Sequence, residues 1–293
     1  MARGRRLTLR LAGGGPIIVA VDASLPPPET IERWCHDFIV GTDLEMKLSP
    51  PPPPRGFEHE PVARRLNGPG RPAELRVIER APKTPRRGSL VHAEGRARLL
   101  HTFLHHELQA AELFCWAVLA FPETPREFRT GLLRLAREEL GHLALYRKRL
   151  NETGFTISDF GVRDWFWTRV GACAGPVEFV SLLGLGLEGA NLEHTVRFAE
   201  WFRSAGDEKS ALVLERVERD EVGHVAFARE WFERFTGETL AFDSWASRLP
   251  EPLSPALFVG RPINRAARRR AGFGDAFLDS LDDQPAAHVP RRR

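Results

Sequence analysis

Two short stretches of the chain repeat each other and carry carboxylate and imidazole groups. Residues 138–142 read Glu-Glu-Leu-Gly-His and residues 220–224 read Asp-Glu-Val-Gly-His, so each stretch ends in Glu-x-x-His. Both lie within long helical patterns, where a spacing of three residues places two side chains on one face, about a turn apart. Carboxylate oxygen together with imidazole nitrogen suits iron or manganese, and neither stretch offers a thiolate. Each stretch therefore predicts one half of a metal site.

A single glutamate lies on an apolar stripe upstream of each repeated pair. Glu107 lies 32 residues before Glu139, and Glu188 lies 33 residues before Glu221, so the two halves match. Four helices that supply Glu, Glu-x-x-His, Glu and Glu-x-x-His provide the ligands of a carboxylate-bridged dimetal site. We predict that Glu139 and Glu221 bridge the two metals. The predicted ligands are Glu107, Glu139, His142, Glu188, Glu221 and His224.

The charge of the predicted ligands favours metal ions over simple ion pairs. An isolated buried carboxylate is costly, yet each of the four predicted helices carries one on its apolar stripe. Two divalent ions bring four positive charges, which balance four carboxylates. The alternative is a bundle that buries Glu–Arg or Glu–His pairs without metal. One Glu-x-x-His would favour that alternative, whereas two such motifs with two matched glutamates favour the metal site.

Two further glutamates could replace the single ligands if the helical register were shifted. Glu112 and Glu193 lie five residues after Glu107 and Glu188, respectively. A five-residue step turns a helix by about 140° and points them away from the stripe. We therefore expect Glu112 and Glu193 to support the site from outside or to lie at the surface.

Other polar residues near the ligands have two open interpretations. Glu138 and Asp220 either accept the free ring N–H of a ligating histidine or are solvated charges. Asn191 shares the stripe of Glu188, so we place it beside the ligands. Tyr146, one turn beyond His142, either packs in the core or takes part in a redox step. Three histidines lie off the stripe and are expected at the surface or as caps: His105, His106 and His194.

Four helices with a period of 3.6 residues position these groups. The first is predicted from 93 to about 121, the second from about 125 to 153, the third from about 177 to 204 and the fourth from about 208 to 235. Short links join the first helix to the second and the third to the fourth, which predicts antiparallel pairs. The connection over residues 154–176 is long enough to cross the length of a bundle. It carries the aromatic cluster of residues 163–167, which either caps the bundle or lines a substrate entrance over the metals.

The segments on either side of the helices have a different composition. Residues 7–22 predict a small hairpin and residues 27–47 predict one helix, followed by a polyproline spacer at residues 50–54. We expect an extended arm up to residue 92, a bundle over residues 93–242 and a Pro-, Arg- and Gly-rich tail over residues 243–293. The arginines of both ends are expected to be solvated, with binding to nucleic acid as the less favoured alternative. These are Arg3, Arg5, Arg6, Arg10, Arg265, Arg268, Arg269, Arg270 and the run 291–293.

The overall composition narrows the class of protein. The chain has 293 residues, 42% of them hydrophobic, with a formal net charge of +3, so it can bury a substantial core. It has three cysteines and no Cys-x-x-Cys pair, which fits a reducing compartment, and we predict a cytoplasmic location. The chain has no run of 18 apolar residues, so we expect no membrane span. Arg10 and the break at Gly13–Pro16 interrupt the apolar core that an export signal needs, which argues against such a signal.

Four segments resemble a ferritin-like family known as a domain of unknown function. They are residues 105–112 (HHELQAAE), 162–167 (VRDWFW), 187–194 (LEGANLEH) and 220–225 (DEVGHV). The six predicted ligands fall on the ligand positions of the wider ferritin, rubrerythrin and bacterioferritin group. The segment that begins at Glu107 is similar to the first-helix ligand context of bacterioferritin, which supports Glu107 over Glu112. Glu138 departs from the pattern, since Asp is expected there by analogy with Asp220.

The resemblance implies an all-α fold: a ferritin-like antiparallel four-helix bundle with one long crossover, a Pro-rich arm and a basic tail. It brings no established reaction. We expect two iron ions, with manganese or a mixed pair as alternatives, and an oxidase or oxygenase that acts with O2 on a small molecule. A tRNA-modifying hydroxylase of the same superfamily makes an RNA substrate an alternative. Iron storage, ferroxidation or metal binding without catalysis is the rival function. We expect a monomer or small homo-oligomer rather than a cage.

Overall fold

The described part of the chain is helical. The structure is a computed structural model, and it describes residues 25–79 and 84–285. Within these ranges two isolated bridges, Thr30 with Gly56 and Val77 with Val162, are the only strand-like pairings. The predicted all-α class is therefore confirmed, while the hairpin predicted over residues 7–22 lies outside the described residues. None of the described helices is long and apolar enough to span a membrane.

The helices are named in chain order. They are α1 (Ile31–Val40), α2 (Leu44–Leu48), α3 (Ala93–Ala120), α4 (Arg126–Glu152), α5 (Trp165–Val170), α6 (Pro176–Phe179), α7 (Gly189–Ser204), α8 (Glu208–Thr236), α9 (Phe242–Ala246), α10 (Arg265–Arg270) and α11 (Asp275–Asp282). Short 3-10 turns cover Arg87–Val91 and Pro255–Phe258, and a π-helix covers Val180–Glu188.

The first helical pair is α3 with α4. The 28-residue α3 ends at Ala120, and α4 begins directly after Pro125, whose fixed φ suits the start of a helix. The two helices pack along their lengths and share a core that includes Leu104, Leu108 and Leu143. The boundaries predicted from the proline pair are correct to within one or two residues.

The third predicted helix is continuous but is not α-helical throughout. Residues 176–204 form one rod in which α6 passes into the π-helix and then into α7. The prediction of a uniform period of 3.6 is therefore wrong over residues 180–188, where the turn is wider. Gly184 lies where this rod meets α8: a Cβ atom there would be 2.3 Å from the Cβ of Ala228. The absence of a side chain thus allows the close approach.

The fourth helix, α8, closes the bundle. Its first turn is capped by Asp207, whose carboxylate accepts from the backbone N–H of Ser210 at 3.0 Å. It ends at Gly237, which takes a positive φ of 72°. Helix α8 packs against α7, the π-helix and α4, so the four helical rods surround one core.

The flanking segments fold onto these four rods. The single helix predicted over residues 27–47 is wrong: α1 ends at Val40 and a short α2 follows, capped by Asp43. Helix α1 packs against α3 through Ile31, Cys35 and Phe38. Beyond α8, where periodicity decays, short helices still bury Trp245, Phe258 and Phe277. Their brevity explains why the pattern did not reveal them.

Candidate metal centre

Six side chains from four helical rods converge in the core. Helix α3 contributes Glu107, α4 contributes Glu139 and His142, the last residue of the π-helix is Glu188, and α8 contributes Glu221 and His224. All six are buried, none exposing more than 5% of its surface. Two groups, each with ligand atoms within 4.8 Å of one another, could each hold a metal ion: Glu107, Glu139, His142 and Glu221; and Glu139, Glu188, Glu221 and His224.

The two groups share Glu139 and Glu221, the residues predicted to bridge. Each group thus combines two shared carboxylates with one further glutamate and one histidine. This composition matches a pair of adjacent metal ions with bridging carboxylates. Glu112 and Glu193 belong to neither group, so the geometry favours Glu107 and Glu188 as the single ligands.

The unsatisfied atoms at the centre of the cluster fit a cation. Glu139 Oε1, Glu221 Oε2 and His224 Nδ1 are buried without a hydrogen-bond partner. They nevertheless face one another, since His224 Nδ1 lies 2.8 Å from Glu139 Oε1 and 3.3 Å from Glu221 Oε2. Buried polar atoms are rarely left unpaired in native proteins. Carboxylate oxygens and a ring nitrogen that lie this close together without hydrogen-bond alignment are groups that a metal ion could satisfy.

The outer ring nitrogens of both histidines are held across the α4–α8 contact. The Nε2 atom of His224 lies 2.9 Å from Glu138 Oε2, and Nε2 of His142 lies 3.4 Å from Asp220 Oδ2. Each carboxylate therefore serves the histidine of the opposite helix. Such partners fix the ring orientation and leave Nδ1 facing the cluster. The proposed roles of Glu138 and Asp220 as ring N–H acceptors thus have a geometric basis, with the 3.4 Å contact being the weaker.

Charge repulsion governs the protonation of the metal-free cluster. Burial and the adjacent carboxylates raise the pKa of Glu107 and Glu188 well above the ordinary value. Burial acts in the same direction on Glu139, but the imidazoles of His224 and His142 outweigh it and lower the pKa of that carboxyl. Burial lowers the pKa of His224, but Glu139 and Glu138 outweigh it and raise the pKa. The cluster therefore retains protons that metal ions would displace.

Asn191 and Tyr146 lie next to the cluster. The amide Nδ2 of Asn191 donates to Glu188 Oε2 at 3.2 Å and lies 3.5 Å from Glu221 Oε1. Tyr146 is 1% exposed, and its ring centroid lies 5.6 Å from that of Phe103. Burial and the carboxylates of Glu107, Glu221 and Glu139 raise the pKa of its hydroxyl, which keeps the phenol neutral.

Glu112 has a different environment from Glu107. It is fully buried, and Arg71 donates to both of its oxygens at 2.6 and 2.9 Å. Lys47 and the indole N–H of Trp167 donate to it at 2.7 and 2.8 Å. The arm thus neutralises this carboxylate, and the surface alternative is wrong for it.

Glu193 repeats this arrangement on α7. Arg268 Nε and Nη2 each donate to it at 2.8 Å, and the backbone N–H of Asn264 donates at 3.0 Å. Arg268 is only 2% exposed, so the expectation of a solvated tail is wrong for this arginine. A surface position is likewise wrong for Glu193. Sequence reasoning missed both pairs because their partners lie 41 and 75 residues away, in segments without periodicity.

The aromatic cluster of the crossover packs on the face of α3 that points away from the ligands. The ring of Phe166 stacks on His106 with centroids 4.7 Å apart, and Trp167 reaches Glu112. At about 100° per residue, these α3 positions lie far around the helix from Glu107. The cluster therefore covers the outside of α3 rather than the metal ligands.

None of the three off-stripe histidines belongs to a ligand group. His105 is buried, with 3% exposure, and its Nε2 lies 3.1 Å from Asp164 Oδ1, so a surface position is wrong for it. His106 and His194 are half-buried. Burial lowers the pKa of His106 to about 3 and that of His194 to about 4, which keeps both rings neutral.

Comparison with known proteins identifies relatives but no reaction. The sequence model described as Protein of unknown function (DUF455) matches residues 39–279. A Haemophilus influenzae protein described as an uncharacterized protein is 29% identical over 208 residues, covering 68% of this chain and 72% of that protein. No solved structure matches the chain. The matched range includes all six converging residues and the two arginines that pair with Glu112 and Glu193.

Proposed function

The chain belongs to the DUF455 family, and we propose that it is a ferritin-like dimetal carboxylate protein that oxidises a substrate with O2. The observation that carries this proposal is the pair of buried ligand groups that share Glu139 and Glu221. The donor set of carboxylates and imidazoles suits two iron ions, with manganese or a mixed pair as alternatives. When bound, such a pair supplies the redox chemistry with O2 that protein side chains lack.

The chain's own residues would hold and orient this centre. Glu107 with His142, and Glu188 with His224, would be the terminal ligands on either side of the two bridging carboxylates. Glu138 and Asp220 hold the histidine rings, while Asn191 donates to Glu188 and restrains that carboxylate. Leu104, Ala111 and Phe114, buried on the same stripe of α3, keep bulk water from the ligands.

The connectivity supports a ferritin-like arrangement. Helices α3 and α4 form one packed pair, α7 and α8 form another, and residues 153–175 connect the pairs. One long connection between two helical hairpins is typical of that bundle, and each hairpin supplies one Glu and one Glu-x-x-His. The internal repeat of ligands therefore follows the repeat of hairpins.

The surroundings favour a small molecule over RNA as the substrate. Within the described part of the tail, three arginines have acidic partners: Arg265 pairs with Asp279, Arg269 with Asp275 and Arg270 with Glu218. Paired arginines present less free positive charge to phosphates. We propose that the protein is cytoplasmic and is a monomer or small oligomer.

Iron oxidation by O2 tests the proposal. Metal-free protein is loaded with two ferrous ions per chain and exposed to O2, and Mössbauer spectroscopy follows the iron. We expect both ions to be oxidised and to remain as a protein-bound pair, with gel filtration at the size of one or a few chains. Glu188→Gln should abolish the paired signal, whereas Glu200→Gln, at an exposed position in α7 of the same helical rod, should retain it.

Two results would contradict the oxidase. A large hollow assembly that takes up many irons per chain would assign the protein to iron storage. Bound ferrous iron that stays inert to O2, with and without small-molecule substrates, would assign the site a non-redox role.

A further inference from the structure

The outer face of the α4–α8 contact reaches the candidate metal centre through two carboxylates. On one side Glu138 Oε2 lies 2.9 Å from the Nε2 atom of His224. On the other side Asp220 Oδ2 lies 3.4 Å from the Nε2 atom of His142. The side chains of Glu138 and Asp220 are nevertheless 38% and 32% exposed. A single carboxylate therefore separates solvent from each of the two candidate histidine ligands.

Exposed arginines lie beside these carboxylates and follow the same internal repeat as the ligands. They are Arg134 and Arg137 on α4 and, 82 residues later in the chain, Arg216 and Arg219 on α8. Arg134 pairs with Glu138 at 3.1 Å, and Arg216 pairs with Asp220 at 3.1 Å. The other two arginines have no ion-pair partner in the part of the chain that the structure describes. The four guanidinium groups outnumber the two carboxylates, so this face, the α4–α8 patch, is net positive.

Two glycines leave the backbone of the patch uncovered. Gly141 and Gly223 each directly precede a candidate histidine ligand, and both are exposed. Nothing lies within 4 Å of a Cβ atom added at either position. A glycine inside a helix costs about 1 kcal/mol relative to alanine. Packing within the chain does not account for these two glycines, whereas the close approach of an external surface does.

We propose that the α4–α8 patch docks a small acidic electron-transfer protein, a role that rests on the proposed oxidase function. Electron transfer weakens steeply with distance, and Glu138 and Asp220 provide a short path from the surface to the ligands. Each encounter transfers one electron from the reduced partner to one ferric ion. Two encounters therefore give two ferrous ions and two molecules of oxidised partner.

The charges of the patch select this class of partner. Guanidinium groups attract an acidic protein, and such attraction raises the rate of encounter. Electron-transfer complexes bury little surface, so a face about two turns long on each helix is large enough. A second copy of this chain would bring arginine against arginine. The phosphates of RNA would meet the carboxylates of Glu138 and Asp220, which disfavours that partner too.

Binding to the metal-free full chain tests the docking separately from the metal chemistry. The probes are an acidic plant-type [2Fe–2S] ferredoxin and cytochrome c, which is basic. Titration calorimetry at low salt should give a Kd of about 100 μM or tighter for ferredoxin and no binding of cytochrome c. Raising the salt to about 0.5 M should weaken ferredoxin binding about tenfold or more, because salt screens exposed charges.

Two double variants locate the binding surface. Arg137→Gln with Arg219→Gln should weaken ferredoxin binding about tenfold, because both unpaired charges of the patch are removed. Arg76→Gln with Arg163→Gln is the matched control: both arginines are exposed, and they lie at the crossover, where Arg76 O accepts from the N–H of Val162. Its net charge changes equally, yet it should bind ferredoxin like the native chain. Equal loss in both double variants would reduce the effect to net charge and overturn the proposal.

Electron delivery is measured by stopped-flow absorbance, with reduced ferredoxin mixed anaerobically with protein that holds two ferric ions. The patch variant should oxidise ferredoxin about tenfold more slowly than the control variant, with the same metal content. Absence of ferredoxin binding to the metal-free chain would overturn the docking site even if the ferrous protein reacts with O2. Ferrous protein that stays inert to O2 would instead contradict the oxidase. Self-association or binding of a labelled RNA that only the patch variant abolishes, without ferredoxin binding, would reassign the patch to that partner.

Discussion

At the level of single residues, glutamates five positions apart on one helical rod have opposite environments. Glu112 and Glu193 are each neutralised by an arginine, Arg71 and Arg268 respectively, through two donated hydrogen bonds. Glu107 and Glu188 have no arginine or lysine within ion-pair distance in the part of the chain that the structure describes. The core thus contains ordinary buried ion pairs beside a cluster that lacks them. This contrast is the strongest argument that the cluster is completed by metal ions.

The first prediction concerns the stability of two glutamine variants on the same rod. Glu188→Gln should leave the free energy of unfolding of the metal-free protein almost unchanged, because the raised pKa of Glu188 already makes the protonated form the preferred one. Glu193→Gln should destabilise the protein by about 3–5 kcal/mol, because Arg268 is left buried without its charge partner. Chemical denaturation of both metal-free variants measures the difference.

Metal binding should show the reverse order. Glu188→Gln should lose most of the stabilisation by metal, whereas folded Glu193→Gln should retain it. A large loss of metal-free stability in Glu188→Gln would show that this carboxylate has a structural role.

The second prediction is a pH dependence of the metal-free protein. Glu107, Glu188, His142 and His224 have raised pKa values in the folded state, so they bind more protons there than in the unfolded chain. Their contribution is therefore present at low pH and lost as pH rises through the folded values. The lowered pKa of Glu139 acts only at more acidic pH. Buried histidines outside the cluster, such as His106 and His194, have lowered pKa values and act in the opposite direction below the ordinary histidine pKa. The melting temperature should therefore fall between about pH 7 and pH 8, where the raised pKa values of the cluster dominate.

Added metal should reverse this trend, because metals require deprotonated ligands and bind more tightly as pH rises. Differential scanning calorimetry with and without metal makes the comparison. A metal-free melting temperature that rises over the same range would contradict the protonation assigned to the cluster.

At the level of elements, the π-helix places Glu188 against α8. The rod approaches α8 closely at Gly184, one turn before Glu188. π-helical turns are rare and recur at functional sites, where they redirect a side chain. Here the wider turns end at Glu188, which belongs to the second ligand group, so the position of Glu188 depends on the π-helix.

The third prediction follows from this contact. Gly184→Ala should destabilise the protein by about 1–3 kcal/mol, because the added methyl group would meet Ala228 and force the π-helix and α8 apart. It should also weaken metal binding, since Glu188 moves with the rod. Gly223→Ala is the control: nothing lies within 4 Å of its added Cβ, so the better helix former should stabilise α8 by about 1 kcal/mol. Equal effects of the two substitutions would contradict the packing role of Gly184.

The features that could be predicted from the sequence are those determined by residues close together in the chain. Helical periodicity and two proline breaks located α3 and α4, and the spacing of Glu139 and His142 placed both on one face. The partners of Glu112 and Glu193 could not be predicted, because they come from distant segments that lack periodicity. The π-helix was also missed, since its residues are apolar all round and conceal a change of period.

At the level of the whole molecule, the two flanking segments complete the core of the bundle. The arm supplies Lys47 and Arg71 to Glu112, and the C-terminal segment supplies Arg268 to Glu193. Each flank therefore satisfies a buried charge on a helical rod that also carries a candidate ligand. The division into arm, bundle and tail stays a prediction, and these contacts lead us to expect that the three segments fold together.

The fourth prediction is that a fragment of residues 93–242 does not fold independently. In this fragment Glu112 and Glu193 would be buried without positive partners. The apolar surface of α3 that α1 covers would also be exposed to water. Circular dichroism should show no cooperative melting for the fragment and a single cooperative transition for the full chain. Glu112→Gln with Glu193→Gln should recover part of the fragment's helicity. A fragment that melts within a few degrees of the full chain would show that the flanks are accessory.

The central claim, two metal ions per chain, is tested most directly by counting them. The full chain is made metal-free, loaded separately with iron and with manganese, freed of excess metal by gel filtration, and analysed for metal and protein in the same fraction. We predict close to two ions per chain for the native protein and clearly fewer for Glu221→Gln, which removes a charge from a shared ligand. Less than one ion per chain with both metals would contradict the account and leave the six residues as a metal-free buried network.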